Sequence, residues 1–202
     1  GEWVACNWLS EADVKAYAGW AALRPMTELE YEKACRGPMP PVQNEYAWGS
    51  AFLATATTSL LDQNTAAERP NQGNCCYASC SPQSPYRCGS FARANSGRVD
   101  AGAGFYGCLD LAGNVWERTV TVGAAGGRAF KGEHGIGELD QNGVPLGVAS
   151  WIYGLCYRGG AWNSAASNAR VSDRNIAANA DAARYSHSGG RAARAVPSGV
   201  DP

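Results

Sequence analysis

The sequence predicts an α+β domain of short strands, two helices and extensive loops, on three observations. Two stretches near the N-terminus carry helix caps followed by apolar residues at helical spacing. Further along, apolar runs are short and broken by glycine, as strands between tight turns are. The 202 residues hold 25 glycines and only 17% charged residues, a balance that suits an irregular fold better than a helical bundle. A chain of this length forms one domain with a sizeable core, read as 1–202.

Ser10 is the N-cap of the first helix, and Val14, Tyr17, Ala18 and Ala21 follow on one apolar face. In the second helix, Thr27-Glu28-Leu29-Glu30 is a capping box in which Glu30 reaches back to the Thr27 amide. That helix continues through Tyr31, Ala34 and Cys35, and Gly37 stops it before Pro38. Pro25 separates the two. Residues 51–104 read as mostly irregular, a length unusual in a compact domain unless functional or cross-linked. Short strands are expected within Tyr106–Val122 and Tyr157–Trp162, with another entry at Gly126–Phe130. The tail 195–202 is expected to fray.

Composition removes several function classes. The formal net charge is −1, whereas nucleic-acid binding needs a basic face. No apolar run approaches the ~20 residues of a membrane span, and the N-terminus has no signal-peptide pattern. Eight cysteines are many for a reduced cytosolic protein. They favour a cell-surface, extracellular or virion-associated location. Cys75, Cys76, Cys80 and Cys88 cluster, and their spacing suits disulfides that staple the loop 71–90 better than a zinc site, since no histidine is near. Reduced thiols are the other reading. Cys6, Cys35, Cys108 and Cys156 sit beside apolar residues, as buried thiols do.

The most distinctive segment is 158–194. A frame of Arg158-Gly159-Gly160, Trp162, Ala169-Arg170-Val171, Arg174, Gly189-Gly190-Arg191 and Arg194 alternates with small or hydrogen-bonding side chains. The arginines are expected to brace loops through carbonyl and carboxylate bonds. From Ala161 to Arg194 there is no Lys, Glu, Gln or Met. Asn, Asp, Ser, Tyr, His and Ile are all reachable from an Asn codon by replacing adenines alone; the four absent types are not.

Five blocks carry a family resemblance: WLSEADVKAYAGWAALRPMTELEYEKACRGP, NEYAWGS, FYGCLDLAGNVWERTV, GGRAFKGEHGIGELDQNG and RGGAW…GGRAAR. In this order the chain resembles the variable proteins of diversity-generating retroelements built on the formylglycine-generating-enzyme type of C-type lectin fold. The resemblance implies that 158–194 is a variable ligand-binding segment rewritten by adenine-directed mutagenesis. It also implies that further strands precede Gly1. Ligand contacts are then expected from Ala161, Asn163, Ser164, Ser167, Asn168, Asn175, Ile176, Asn179, Asp181, Tyr185, Ser186, His187 and Ser188. Tyr185 is the expected anchor, with Asn, Ser and Asp supplying adaptable hydrogen bonds.

The same resemblance raises catalysis and metals. In the formylglycine-generating enzyme a Cys-x(4)-Cys pair after the RGG motif holds copper. Those places are Ser164 and Ala169 here, and a hydroxyl and a methyl cannot replace two thiolates on Cu(I). Copper and that oxidase activity are therefore not expected, and a non-catalytic binding protein is. Calcium is compatible: the Asp110–Glu117 stretch aligns with a family ligand set of two side chains, Asp110 and Glu117, and two carbonyls, Gly113 and Val115. Otherwise Asp110 and Glu117 cap turns and pair with arginines such as Arg118. With only His134 and His187 in the chain, a multi-histidine centre is excluded. His134 suits a structural hydrogen bond. No nucleophile elbow or phosphate loop occurs.

The expected partner is a protein or cell-surface ligand, without nucleic acid or membrane insertion. An enzyme of this superfamily with another reaction, and a structural display domain, are the alternatives. An enzyme predicts a concave pocket holding a titratable pair with shifted pKa values. A binding protein predicts variable side chains at the surface above a buried frame.

Overall fold

The computed structural model describes residues 1–56, 59–151, 154–177 and 181–195. Helix α1 (Glu11–Trp20) starts from Ser10, whose hydroxyl accepts the Asp13 amide while Asp13 reaches back to the Ser10 amide. Val14 and Ala18 face the core, but Tyr17 is exposed. Tyr17 thus departs from the expected apolar face. Strand β1 (Arg24–Pro25) follows, then helix α2 (Glu28–Arg36) behind the expected Thr27–Glu30 capping box. Tyr31 and Cys35 of α2 are buried, and Gly37 ends the helix at φ +66°.

The described residues of 38–115 are mostly turns, apart from the two-residue strands β2 (Leu60–Leu61) and β3 (Arg69–Pro70). Of the short strands expected within Tyr106–Val122, one forms, β4 (Trp116–Val120). Its approach, Asp110, Gly113 and Asn114, has positive φ, which extended backbone does not tolerate. The Gly126–Phe130 stretch is not a strand either. It belongs to a helical turn, α3 (Ala125–Arg128), in which a Cβ on Gly127 would lie 1.8 Å from the Thr121 carbonyl. A 3₁₀ turn η1 (Ala149–Trp151), strand β5 (Leu155–Arg158) and a 3₁₀ turn η2 (Ala166–Ala169) come next. Strands β6 (Ser188–Gly190) and β7 (Ala192–Ala193) complete the described elements.

The main sheet has the order β5-β4-β6. β4 is antiparallel to β5 (Glu117 opposite Arg158, Arg118 opposite Tyr157) and parallel to β6 (Glu117 opposite Gly189). β1 pairs antiparallel with β7, Arg24 opposite Ala193. α2 is fastened to the sheet where the Glu28 carboxylate accepts the Val122 amide at 2.9 Å and the Thr121 hydroxyl at 3.1 Å. The largest core cluster joins Tyr31, Cys35, Tyr46, Trp48, Leu111 and Val171, with the Tyr46 and Trp48 rings stacked at 5.0 Å.

The disulfides expected at 75–88 are not formed: all eight cysteines are free. The loop is held by packing and hydrogen bonds instead. Cys76 and Cys80 are buried with their sulfurs 3.0 Å apart, against Tyr86 and Phe91. The Cys76 carbonyl accepts the Asn114 amide at 2.8 Å, and the Asn114 side chain accepts the Tyr86 amide at 2.9 Å. Gly113 is required here, since a Cβ would stand 2.2 Å from the Cys76 oxygen.

Candidate functional site

Successive residues of a strand point to opposite faces, and β4 uses this to build two regions. Trp116 and Arg118 turn to one side, where Trp116, Tyr157 and Ala161 form a cluster with Ile176 packed on it. Arg118 is fully buried, with its guanidinium 4.5 Å from the Tyr157 ring centre. It donates to the Asp181 carbonyl at 2.7 Å, the Ala183 carbonyl at 2.9 Å and the Leu9 carbonyl at 3.4 Å.

Above that brace lies a cluster of the expected contact residues. The Tyr185 and His187 rings stack at 5.2 Å, nearly parallel, and Asn163 Nδ2 lies 3.3 Å from His187 Nδ1. The Tyr185 hydroxyl donates to the Asp181 carboxylate, which holds Asp181 below and Tyr185 above its ordinary pKa. Partial burial pushes His187 down, toward the neutral ring. Asn163 and Tyr185 are exposed; Asp181 and His187 are half-buried.

The other expected contacts divide. Ser167 and Asn175 are exposed, while Ser164, Asn168 and Ser186 are half-buried. Asn168 donates to Asp173 at 3.3 Å. Ile176 packs on the Trp116 cluster. Ala161 and Ser188 are fully buried, so neither reaches a ligand on this surface. Asn179 lies outside the described residues.

The frame is only partly interior. Arg158 is buried over the Tyr31 ring, bonding the Val171 carbonyl at 2.7 Å, the Asp173 carbonyl and Glu32 at 3.0 Å. Arg174 also pairs with Glu32, from a half-exposed position. Trp162 packs against the Cys76–Cys80 cluster and donates from its indole to the Ser186 carbonyl at 3.2 Å. His134 accepts the Ala195 amide at 2.9 Å, the expected structural bond.

Sequence reasoning missed several parts of this region. Arg118, expected as a partner for Asp110 or Glu117, points the other way from its strand position and bonds the Asp181 and Ala183 carbonyls. Asn7 Nδ2 donates to the Ser186 carbonyl at 2.6 Å, and the exposed Trp8 donates its amide to the Tyr185 carbonyl at 3.0 Å. Arg184 forms two 2.7 Å bonds to Asp13 on α1. Such contacts span up to 179 residues and leave no local pattern.

On the other side of β4, Glu117 and Val115 line a cavity of about 770 Å³ together with Leu9, Val14, Leu109, Asp110 and Arg191. Arg191, not Arg118, is the partner of Glu117. It donates from Nε at 2.8 Å and from Nη2 to Glu117 Oε1, and from Nη2 to the Leu109 carbonyl at 2.8 Å. Glu117 Oε2 is buried without a hydrogen-bond partner. Asp110 accepts the Gly89 amide at 2.6 Å, and burial raises its pKa, with Glu117 nearby adding to the rise. Cys88, also in the lining, is raised by burial.

This donor set fits a cation. One oxygen of Glu117 is buried without a donor. Calcium, which the resemblance implies, would be held by Asp110, Glu117 and the carbonyls of Gly113 and Val115. Among the described residues no group of three or more His, Cys, Asp or Glu is placed to hold a metal ion.

Residues 7–196 match the sulfatase-modifying factor enzyme 1-like domain, and the chain belongs to that family. Two curated relatives, the hercynine oxygenases of Mycolicibacterium smegmatis and Mycolicibacterium thermoresistibile, are each 32% identical over 108 residues, 53% of this chain. The chain spans only 19% and 18% of their respective lengths. Among solved structures it is similar to Treponema denticola variable protein 1, at 21% identity and a TM-score of 0.42 over 83% of this chain and 46% of that one. These relatives correct one expectation. The family and its oxygenases are named for enzymes, so the reading of the chain as a non-enzyme does not stand. Among the described residues no helix is long and apolar enough to cross a membrane.

Proposed function

We propose that the chain is a ligand-binding domain whose contacts come from Asn163, Asp181, Tyr185, His187 and their exposed neighbours within 158–194, with a protein or cell-surface structure as ligand. One observation carries this reading: the framework holds the segment mainly by its main chain. Arg118 bonds the carbonyls of Asp181 and Ala183, Arg158 those of Val171 and Asp173, Trp162 and Asn7 that of Ser186, and the Ala78 amide that of Ser164. Main-chain oxygens are the same whatever side chain they carry. The surface is therefore free to change residues without losing its supports, as antibody loops are. The missing Lys, Glu, Gln and Met of 161–194 support diversification by a retroelement.

A library that randomises 163, 181, 185 and 187 on an otherwise unchanged chain tests this reading. Most members should melt within a few degrees of the parent, and selection against an immobilised protein such as lysozyme should yield specific binders. A library that mostly fails to fold refutes the reading. Sequencing the DNA downstream for a near-copy of the 158–194 segment, differing at adenines, tests the diversification.

An enzyme of the family with its own reaction is the second reading. It is favoured by the oxygenase names of the relatives and by the cavity, where Asp110 and Cys88 both have raised pKa values. Oxygen uptake by the protein with hercynine and a thiol or ascorbate reductant is the assay. No uptake above the protein-free rate removes that substrate from consideration.

A further inference from the structure

Loop 71–90 carries no disulfide, yet two of its thiols stand where one would close. Cys76 Sγ donates to Cys80 Sγ at 3.0 Å, and a bond of about 2.0 Å between them needs each sulfur to move only about 0.5 Å. Both are buried against Tyr86, Phe91 and Trp162, so close packing limits where either sulfur can go. The other two cysteines of the cluster are turned elsewhere. Cys75 lies in the core with Tyr31 and Trp48, its Sγ on the Ala112 carbonyl at 3.3 Å, and Cys88 is exposed in the lining of the cavity beside β4. Closing the bond gives up only weak partners, sulfur contacts of 3.6–3.7 Å to the carbonyls of Ser84, Pro82 and Trp162. Cys80 is the reachable member of the pair, because exposed residues flank it: Ser79 on one side, Ser81, Pro82 and Gln83 on the other.

We propose that Cys76 and Cys80 form a reversible redox site, a dithiol that a small disulfide of the glutathione type converts to a disulfide. A local opening of the 79–83 turn lets Cys80 Sγ attack one sulfur of the oxidant. The oxidant's S–S bond breaks, one glutathione leaves as a thiol with the Cys80 proton, and the other stays joined to Cys80. Cys76 Sγ then attacks Cys80 Sγ as the turn closes, and expels the second glutathione as a thiol that takes the Cys76 proton. Two protein thiols have been oxidised and one glutathione disulfide reduced. The new bond brackets Ala78, whose amide holds the Ser164 carbonyl at 3.0 Å, and it lies against Trp162. Oxidation therefore stiffens the support beneath residues 162–164, and reduction frees it. This chemistry does not depend on what the 158–194 surface binds.

The whole, unsubstituted chain is equilibrated in glutathione buffers of rising oxidised-to-reduced ratio, quenched in acid and alkylated in denaturant with N-ethylmaleimide. Fragment-ion mass spectrometry of the peptide holding Cys75, Cys76 and Cys80 then locates the bond. It should show Cys75 alkylated and Cys76 joined to Cys80, with both returning to alkylated thiols after dithiothreitol. The equilibrium constant for closure should be about tenfold or more greater in the folded chain than in the same chain in urea, because the fold holds the two sulfurs together. Hydrogen exchange at the Ala78 amide should slow about tenfold on oxidation, since exchange there needs the turn to open. In Cys80→Ser the Ala78 exchange should not respond to the buffer. Five results would overturn the proposal: no bond between Cys76 and Cys80 at any ratio, a bond from Cys75 or Cys88 instead, a glutathione adduct on Cys80 that never closes, equal closure in urea, or closure that leaves Ala78 exchange unchanged.

Discussion

Replacing Arg118 with methionine separates the polar role of this side chain from its bulk. Arg118 is fully buried, and its donors end on the carbonyls of Asp181, Ala183 and Leu9 at 2.7, 2.9 and 3.4 Å. Methionine restores much of the volume but no donor, so carbonyls of the 181–183 turn lose their partner. A hydrogen bond from a charged group contributes about 1.5–3 kcal/mol, and the loss of its stacking on Tyr157 adds about 1 kcal/mol. Removing the buried cation recovers part of this, since its desolvation cost disappears. The net expectation is a loss of about 3–5 kcal/mol in urea denaturation. Amide exchange should accelerate first in 181–187. Arg118→Lys should lie between, because an ammonium keeps the charge but lacks the planar fork that spans two carbonyls. A methionine variant within ~1 kcal/mol of the parent, with unchanged exchange in 181–187, would refute the claim that this arginine supports the surface.

Three further outcomes follow from the geometry. Gly113→Ala places a methyl 2.2 Å from the Cys76 carbonyl at φ +77°, and should cost more than ~3 kcal/mol in the same denaturation assay. Tyr31→Phe leaves the Leu111 carbonyl without the hydroxyl that now bonds it at 2.6 Å, a loss of about 1–3 kcal/mol. His187 has a folded pKa below its ordinary 6.5 because it is partly buried. The unfolded chain therefore takes up a proton there first, and stability present above pH 6.5 is lost as pH falls through 6.5 toward the folded value. Melting curves between pH 7.5 and 5 should show this decline, and His187→Asn should flatten it.

What was legible in the sequence was local. Both capping boxes follow from side chains three residues apart, and the Gly37 stop from one residue's freedom at positive φ. The division of 158–194 into frame and polar residues was legible only in part: Arg158, Ala169 and Val171 are buried, but so are Ala161 and Ser188, and Ile176 packs on the Trp116 cluster. The failures depended on distant partners. Gly126–Phe130 has a strand-like composition, but its approach to the Thr121 and Gly154 carbonyls, open only to glycine, winds it into a helical turn. Tyr17 has helical spacing but faces outward, because α1 buries a narrower stripe. The cysteine cluster suggested staples, yet loop 71–90 is held by Asn114 reaching across to Cys76 and Tyr86. Nothing near Glu117 in sequence marks Arg191, 74 residues on, as its partner.

The supports of the 158–194 segment also set which of its residues can vary independently. Where the framework ends on a carbonyl, as at Ala183 and Ser186, the side chain is uncoupled from the fold. Four surface positions are coupled to one another: Tyr185 donates to Asp181 and stacks on His187, which lies against Asn163. A change at Tyr185 removes both the hydroxyl on Asp181 and the ring face on His187, so its neighbours are repacked with it. Arg184 is fixed differently, by two bonds to Asp13, the residue that also caps α1. That link makes Arg184 framework despite its exposure. The coupled cluster is therefore a single adaptable patch whose members change together, and the fixed arginines, buried or exposed, mark its limits.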